Sequence, residues 1–233
     1  MTAIYCFSGS GHSRAVANAL ASALGEPVTE ITAAPPIASA DTAVVVFPVY
    51  CQNVPPPVRQ FLRALPAGKV ALVATYGGIS YGNVLWEASR LLRGVTIAAA
   101  AIPTGHTYLG GAPEFDPASL QTVLDQLRES RPVVLKKERK HLFANFFPAW
   151  RSRMGVRLTR NANCTSCGHC QAVCPMGAIS GDGINRKCIR CLRCVSECPR
   201  SALDVRIRPV LMRYLLKKDA NQSVHASRKS TKG

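Results

Sequence analysis

The feature that most constrains this chain is a four-cysteine run that occurs twice. Cys164-x2-Cys167-x2-Cys170-x3-Cys174-Pro175 returns 24 residues later as Cys188-x2-Cys191-x2-Cys194-x3-Cys198-Pro199, with Ala178 matched by Ala202 and Ile179 by Leu203. All but Cys6 and Cys51 of the 10 cysteines therefore lie between positions 164 and 198. A unit this small holds too few apolar residues to close a core on its own, so its thiols must be tied together. Met1-Thr2 leads directly into Ile4-Tyr5-Cys6-Phe7 with no basic leader, which is not the pattern of a secreted chain, and a cytoplasmic location is expected. In a reducing compartment clustered thiols indicate metal or redox chemistry rather than disulfides.

The spacing favours one chemistry. Three thiolates two residues apart can hold three irons of one cubane within a single loop, while the fourth cysteine starts a short helix and turns toward the other cluster. This resembles the bacterial two-cluster ferredoxins. It predicts two [4Fe-4S] clusters, one on Cys164, Cys167, Cys170 and Cys198, the other on Cys188, Cys191, Cys194 and Cys174. Pro175 and Pro199 fix the backbone where the chain leaves each cluster. Zinc is the competing reading, because paired C-x2-C units build zinc ribbons, but a zinc site has no use for a third cysteine two residues further on. Arg186, Lys187, Arg190, Arg193 and Arg200 crowd the second run. They would either favour a reduced cluster or form an ordinary solvated basic face.

Charge marks the domain boundary. Residues 1–127 hold 6 Lys or Arg against 7 Asp or Glu, whereas residues 128–233 hold 23 against 6. The division is a near-neutral domain at 1–130, a basic aromatic connector at 131–160, a cysteine-rich domain at 161–206 and a basic tail at 207–233. The connector's Phe143, Phe146, Phe147 and Trp150 are spaced for one helix face, which would pack the two domains together or touch a membrane surface. Arg208 to Lys218 reads as a short basic amphipathic helix, and Asn221 to Gly233 as a disordered end. No apolar run approaches the ~18 residues of a membrane span. Basic runs alone raise nucleic-acid binding, but no reading motif accompanies them and none is expected.

The first domain alternates strand and helix. Ala3–Phe7, Val28–Ile31, Thr42–Phe47, Lys69–Thr75 and Val95–Ile102 read as strands, and Ala15–Leu24, Val58–Leu65, Tyr81–Leu92 and Pro117–Glu129 as helices, the last with Asp116 as N-cap. This predicts an α/β doubly wound five-stranded parallel sheet, with a small α+β domain after it. Ligands on such sheets bind at the carboxyl ends of the strands. Three loops there carry unusual residues. Ser8-Gly9-Ser10-Gly11-His12-Ser13 puts hydroxyls and close backbone N–H groups at a helix start, which suits a phosphate. It fits neither the Walker nor the dinucleotide pattern. Val49-Tyr50-Cys51 and Tyr76-Gly77-Gly78 through Tyr81-Gly82 place aromatics where a flat ring could stack. Cys6 reads as core packing and Cys51 as a bystander near that ring.

Ser8 to Ser13 resembles the flavodoxin phosphate loop. The resemblance implies FMN, with its phosphate on Ser8, Gly9, Ser10, Gly11, His12 and Ser13. Its ring would lie near Val49, Tyr50, Tyr76, Gly77, Gly78, Tyr81 and Gly82. Taken whole, the chain resembles the flavodoxin-fused ferredoxins, which implies electron transfer between FMN, two [4Fe-4S] clusters and a separate redox protein. The basic excess makes an acidic partner the expectation, with an anionic membrane face as a lesser one. Nothing resembles a nicotinamide-binding domain, and no general base or nucleophile stands out. A flavin-dependent reductase of a small molecule and an iron-sulfur regulatory or nucleic-acid-binding protein are the alternatives. Oligomeric state is not legible.

Overall fold

The computed structural model describes residues 1–32, 40–137, 148–181 and 183–217. Its first unit is a five-stranded sheet of β1 (Thr2–Cys6), β2 (Val28–Glu30), β3 (Thr42–Pro48), β4 (Lys69–Tyr76) and β5 (Val95–Pro103). The strand order is β2-β1-β3-β4-β5 and every pairing is parallel. This is the flavodoxin-like doubly wound order, whose switch point lies between β1 and β3. Alternation along each strand divides the core between two faces. Ile4, Cys6, Val44, Val46, Ala71 and Val73 pack with Val16 and Leu20 of α1 (His12–Leu24) and with Leu120 and Val123 of α4 (Ala118–Glu129). Tyr5, Phe7, Val45, Phe47 and Leu72 face the other way, onto Val58, Phe61 and Leu62 of α2 (Pro56–Ala64) and Val84 of α3 (Val84–Ser89). Strands buried on both faces must be apolar nearly throughout, hence the continuous Val44-Val45-Val46 run.

Local signals explain most element ends. Gly25 closes α1 in the left-handed region at φ 70°, with its N–H on the Ala21 carbonyl. This is the αL helix stop that glycine adopts without a Cβ penalty. Asp116 accepts the Ala118 N–H at 2.9 Å at the start of α4. The helix expected over Tyr81–Leu92 is confined to α3, because Gly82 takes φ 57° and breaks the preceding turn.

The second unit starts earlier than its cysteines. After α5 (Pro148–Gly155), strand β6 (Val156–Arg160) pairs antiparallel with β9 (Leu203–Ile207). The segment read from sequence as the end of a connector is thus a strand of this unit, because Val156 and Leu158 alternate with Arg157 and bury one face. Short helices α6 (His169–Ala172) and α7 (Arg193–Ser196) and the hairpin β7 (Ile179–Ser180) and β8 (Gly183–Ile184) complete it. A further helix, α8, runs through 209–217. The small core contains Leu158, Ala178, Ile179, Leu192 and Leu203 together with Cys188 and Cys194. Among the described residues no helix is long and apolar enough to cross a membrane. Phe143, Phe146 and Phe147, the side chain of Trp150 and the tail beyond 217 lie outside the described residues.

Candidate functional site

The loop after β1 is the anchor of the site. Gly11 enters α1 at φ 92° and its N–H donates to Ser8 Oγ at 3.1 Å, so the loop folds back on its first hydroxyl. Ser13 Oγ and Thr75 Oγ1 share a buried hydrogen bond of 2.7 Å, which ties the loop to the end of β4. His12 is buried, and its Nδ1–H donates to the Thr104 carbonyl at 2.6 Å. Ser10 Oγ and Thr107 Oγ1 share one of 2.9 Å. These bonds hold the loops after β1, β4 and β5 around a cavity of about 460 Å³. A helix N-terminus with free backbone N–H groups and no acidic residue in its first turn opens beside it, an arrangement that favours an anion.

Ser8, Gly9, Ser10, His12, Ser13, Val49, Tyr50, Tyr76 and Gly77 all line this cavity. Gly11, Gly78, Tyr81 and Gly82 do not. Gly11 is occupied by the turn into the helix. Tyr81 packs edge-on against Tyr76, with ring centroids 5.3 Å apart, and supports the lining from behind. Burial raises Tyr76 above the ordinary tyrosine range, with Tyr81 adding to it. Cys51 also lines the cavity, its Sγ 3.3 Å from Ser152 Oγ.

The sequence reading missed a whole wall. Thr104, Gly105, His106, Thr107 and Tyr108, after β5, line the cavity. Their hydroxyl, glycine, histidine and tyrosine composition matches the other three loops and was the available signal. Gly77 is pressed against His106, so a Cβ there would come within 2.5 Å of the ring.

The last wall comes from the cysteine unit: Ile189, Arg190 and Cys191 line the same cavity, as do Leu211, Tyr214 and Leu215 of α8. Gly9 makes this possible, because a Cβ on it would overlap the Cys191 carbonyl. Tyr108 Oη donates to the Arg190 carbonyl at 3.1 Å. Burial pushes the Tyr50 hydroxyl well up, and the neighbouring Cys191 adds to this.

Arg193 is the main fastening. Expected in sequence on a basic face, it is 6% exposed. Its Nε and Nη2 donate to the Ser8 carbonyl at 3.0 and 2.7 Å, it pairs with Glu30, and it stacks 5.4 Å from the centroid of Phe7. Glu30 also pairs with Arg14. Ser196 Oγ donates to the Gly9 carbonyl at 3.0 Å. A trans peptide sends its N–H opposite to its carbonyl, so carbonyls held by α7 leave the following N–H groups of the anion loop facing away from α7.

The eight repeated cysteines gather into two groups. Cys164, Cys167, Cys170 and Cys198 surround a separate cavity of about 170 Å³ whose lining includes none of the other four. Cys191 and Cys194 both have Cys188 and Cys174 as electrostatic neighbours, with Cys170 a lesser one of Cys194. Each group therefore takes its fourth member from the other run. The repeat is also deeper than its cysteines. Ala178 and Ala202 donate N–H bonds of 3.3 Å to Cys174 and Cys198 Sγ. Asn161 and Asn185 bond across the unit, from their N–H groups to the Ala202 and Ala178 carbonyls at 3.0 and 2.9 Å. Ser166 and Arg190, Gly168 and Leu192, and Gly177 and Ser201 share positive φ in pairs 24 residues apart. The N-x2-C that opens each run was a legible signal that the cysteine count obscured.

As free thiols, Cys191 and Cys194 are pushed up to about 12, first by burial and then by their cysteine neighbours. Such a group becomes anionic only when a cation compensates it, which a metal centre does. Cys198 is lowered, first by the Ala202 N–H. Among the described residues no three His, Cys, Asp or Glu side chains close on a single metal ion.

Residues 114–217 match the model of a family described as a 4Fe-4S dicluster domain. A structure described as that of a flavoprotein from Bacteroides eggerthii DSM 20697 is similar at 17% identity and a TM-score of 0.39, over 53% of this chain and 97% of that one. The NAD(P)H:quinone oxidoreductase from Methanothermobacter marburgensis is similar at 12% identity and a TM-score of 0.30, over 60% and 98%. No curated protein matches the chain. With both TM-scores below 0.5, the fold assignment rests on the strand order. The chain thus has a five-stranded parallel α/β unit with the flavodoxin-like strand order, together with a segment that matches the 4Fe-4S dicluster model.

Proposed function

We propose that this is an electron-transfer flavo-iron-sulfur protein that relays electrons between FMN, two [4Fe-4S] clusters and an external redox protein. The observation that carries the reading is the contact of the Cys191 carbonyl with Gly9. The flavin cavity and one cysteine group share a wall, so nothing but that wall separates the two redox centres. FMN, when bound, exchanges two electrons together or singly, and each cluster exchanges one. The chain's residues do the rest. Ser8 to Ser13 and the start of α1 hold the phosphate. Val49, Tyr50, Tyr76 and Gly77, with the 104–108 loop, enclose the ring and exclude water. The inner group, Cys174, Cys188, Cys191 and Cys194, holds the cluster beside the flavin. The outer group, Cys164, Cys167, Cys170 and Cys198, holds the other and forms the port to the partner. Arg160 and Arg200 line that outer cavity, which supports a partner with an acidic docking face, met in the cytoplasm.

Anaerobic purification followed by iron, sulfide and flavin assays tests this. About eight irons, as two four-iron clusters require, and one FMN per chain are expected. Zinc in place of iron overturns the cluster assignment, and a full iron load with no FMN uptake overturns the flavin assignment.

A further inference from the structure

The two cysteine runs share their backbone but not all their side chains. Arg190, Arg193 and Ser196 of the second run stand where the first has Ser166, His169 and Ala172. Arg193 and Ser196 fasten the anion loop. Arg190 is left without such a task. Its Nε donates to the Val156 carbonyl at 2.9 Å, but its Nη1 is the one buried side-chain nitrogen or oxygen among the described residues that lacks a hydrogen-bond partner. A buried donor without an acceptor is costly and rare. The loop's left-handed backbone does not account for it, since Ser166 shares that conformation. Arg190 lines the flavin cavity, whose lining includes no Asp or Glu and no other Arg or Lys.

We propose that Arg190 is the cation beside the flavin ring, its guanidinium at the cavity wall favouring the reduced ring. This rests on the flavin reading above. The place fits the ring rather than the phosphate: Arg190's neighbour Tyr108, itself close to Cys51, belongs to the aromatic side of the cavity, and the anion loop already has its own N–H donors. Two electrons and one proton turn the neutral oxidised ring into a monoanion, the electrons coming from a low-potential one-electron reductant through the clusters. An unscreened guanidinium stabilises that monoanion more than the neutral ring. The cluster loop would thereby set the potential of the flavin it feeds.

The test is an anaerobic dithionite titration of the holoprotein, read by flavin absorbance, with FMN and riboflavin affinities measured alongside. Arg190→Gln should weaken reduced relative to oxidised flavin about tenfold, which is about 30 mV lower for a two-electron couple. Arg190→Lys, which keeps the charge, should recover most of this and covers the case in which Arg190→Gln does not fold. Lys187→Gln, exposed beside the same cysteines, should leave the flavin potential unchanged. A flavin potential unmoved in Arg190→Gln overturns the proposal. So does an equal loss for both oxidation states that disappears with riboflavin, which would make Arg190 a phosphate ligand. A wild-type protein that takes up iron but no FMN instead refutes the underlying flavin reading.

Discussion

The two cysteine groups have the same spacing, the same N–H···S bonds and the same left-handed turns, yet they occupy different electrical and steric surroundings. The inner group is packed against the sheet domain: Cys188 and Cys194 are buried, and Cys191 packs against the apolar core that contains Phe7. The outer group faces solvent, with Cys167 exposed and Cys198 lowered by backbone N–H groups rather than raised by burial. A duplicated motif fixes which metal centre can form. The packing around each copy decides what that centre can exchange electrons with, and here it makes one copy internal and the other external.

The largest expected effect comes from removing one ligand of each group. Cys191→Ser and Cys167→Ser should each lower the iron content by about half, since each cubane needs its full set of thiolates. Only Cys191→Ser should also weaken FMN, by about tenfold or 1.4 kcal/mol, because its loop is a wall of the cavity. Iron and flavin assays on both variants decide it. Equal flavin retention would show that the cavity does not depend on the inner group.

The sequence exposed the repeated elements better than the unique ones. The parallel sheet was legible because a doubly buried strand must be apolar throughout, as Val44-Val45-Val46 is. The crosswise cysteine grouping is an expectation from the spacing, but that reading misplaces the helices: Cys170 and Cys194 lie within α6 and α7, and Cys174 and Cys198 follow these helices rather than start them. Arg190 and Arg193 were not legible: a run of arginines reads the same whether it faces water or an opposing domain. Only the placement of Glu30 and the Ser8 carbonyl, more than 160 residues earlier, tells the two apart. The 104–108 wall was missed for a similar reason, since it joins the site only when β5 takes its place beside β4.

If the inner group is internal because two domains are fastened there, loosening the fastening should separate them. Gly9→Ala drives a methyl into the Cys191 carbonyl, an overpacking that costs about 1–3 kcal/mol. At about 2–4 °C per kcal/mol for a chain of this size, calorimetry should show a clear fall in Tm. Arg193→Gln leaves the Ser8 carbonyl with a weaker donor and Glu30 with Arg14 alone. Because the Glu30 side chain is 26% exposed, solvent screens part of the loss and about 1–2 kcal/mol is expected. The fastened units should unfold in one transition in the unsubstituted protein, and in both variants that transition should broaden or split as the domains uncouple. An unchanged, sharp transition would show that the interface does not contribute to stability.

The smallest effect tests the external character of the outer group. Arg200 is exposed and lines the outer cavity, so Arg200→Gln should change stability by no more than about 0.5 kcal/mol. Its influence is kinetic. A basic rim speeds the approach of an anionic reductant and slows that of a cationic one. Stopped-flow reduction by anionic dithionite should therefore slow roughly twofold in Arg200→Gln at low salt, while reduction by a cationic viologen speeds up by a similar factor. Both differences should fade as ionic strength passes about 0.15 M, where the Debye length falls to about 8 Å. The opposite signs distinguish electrostatic steering from damage to the cluster, which would slow both reductants alike. If Arg190→Gln gave the same salt-dependent pattern and Arg200→Gln did not, the entry point would lie at the inner group, and the proposed order of the two groups would be reversed.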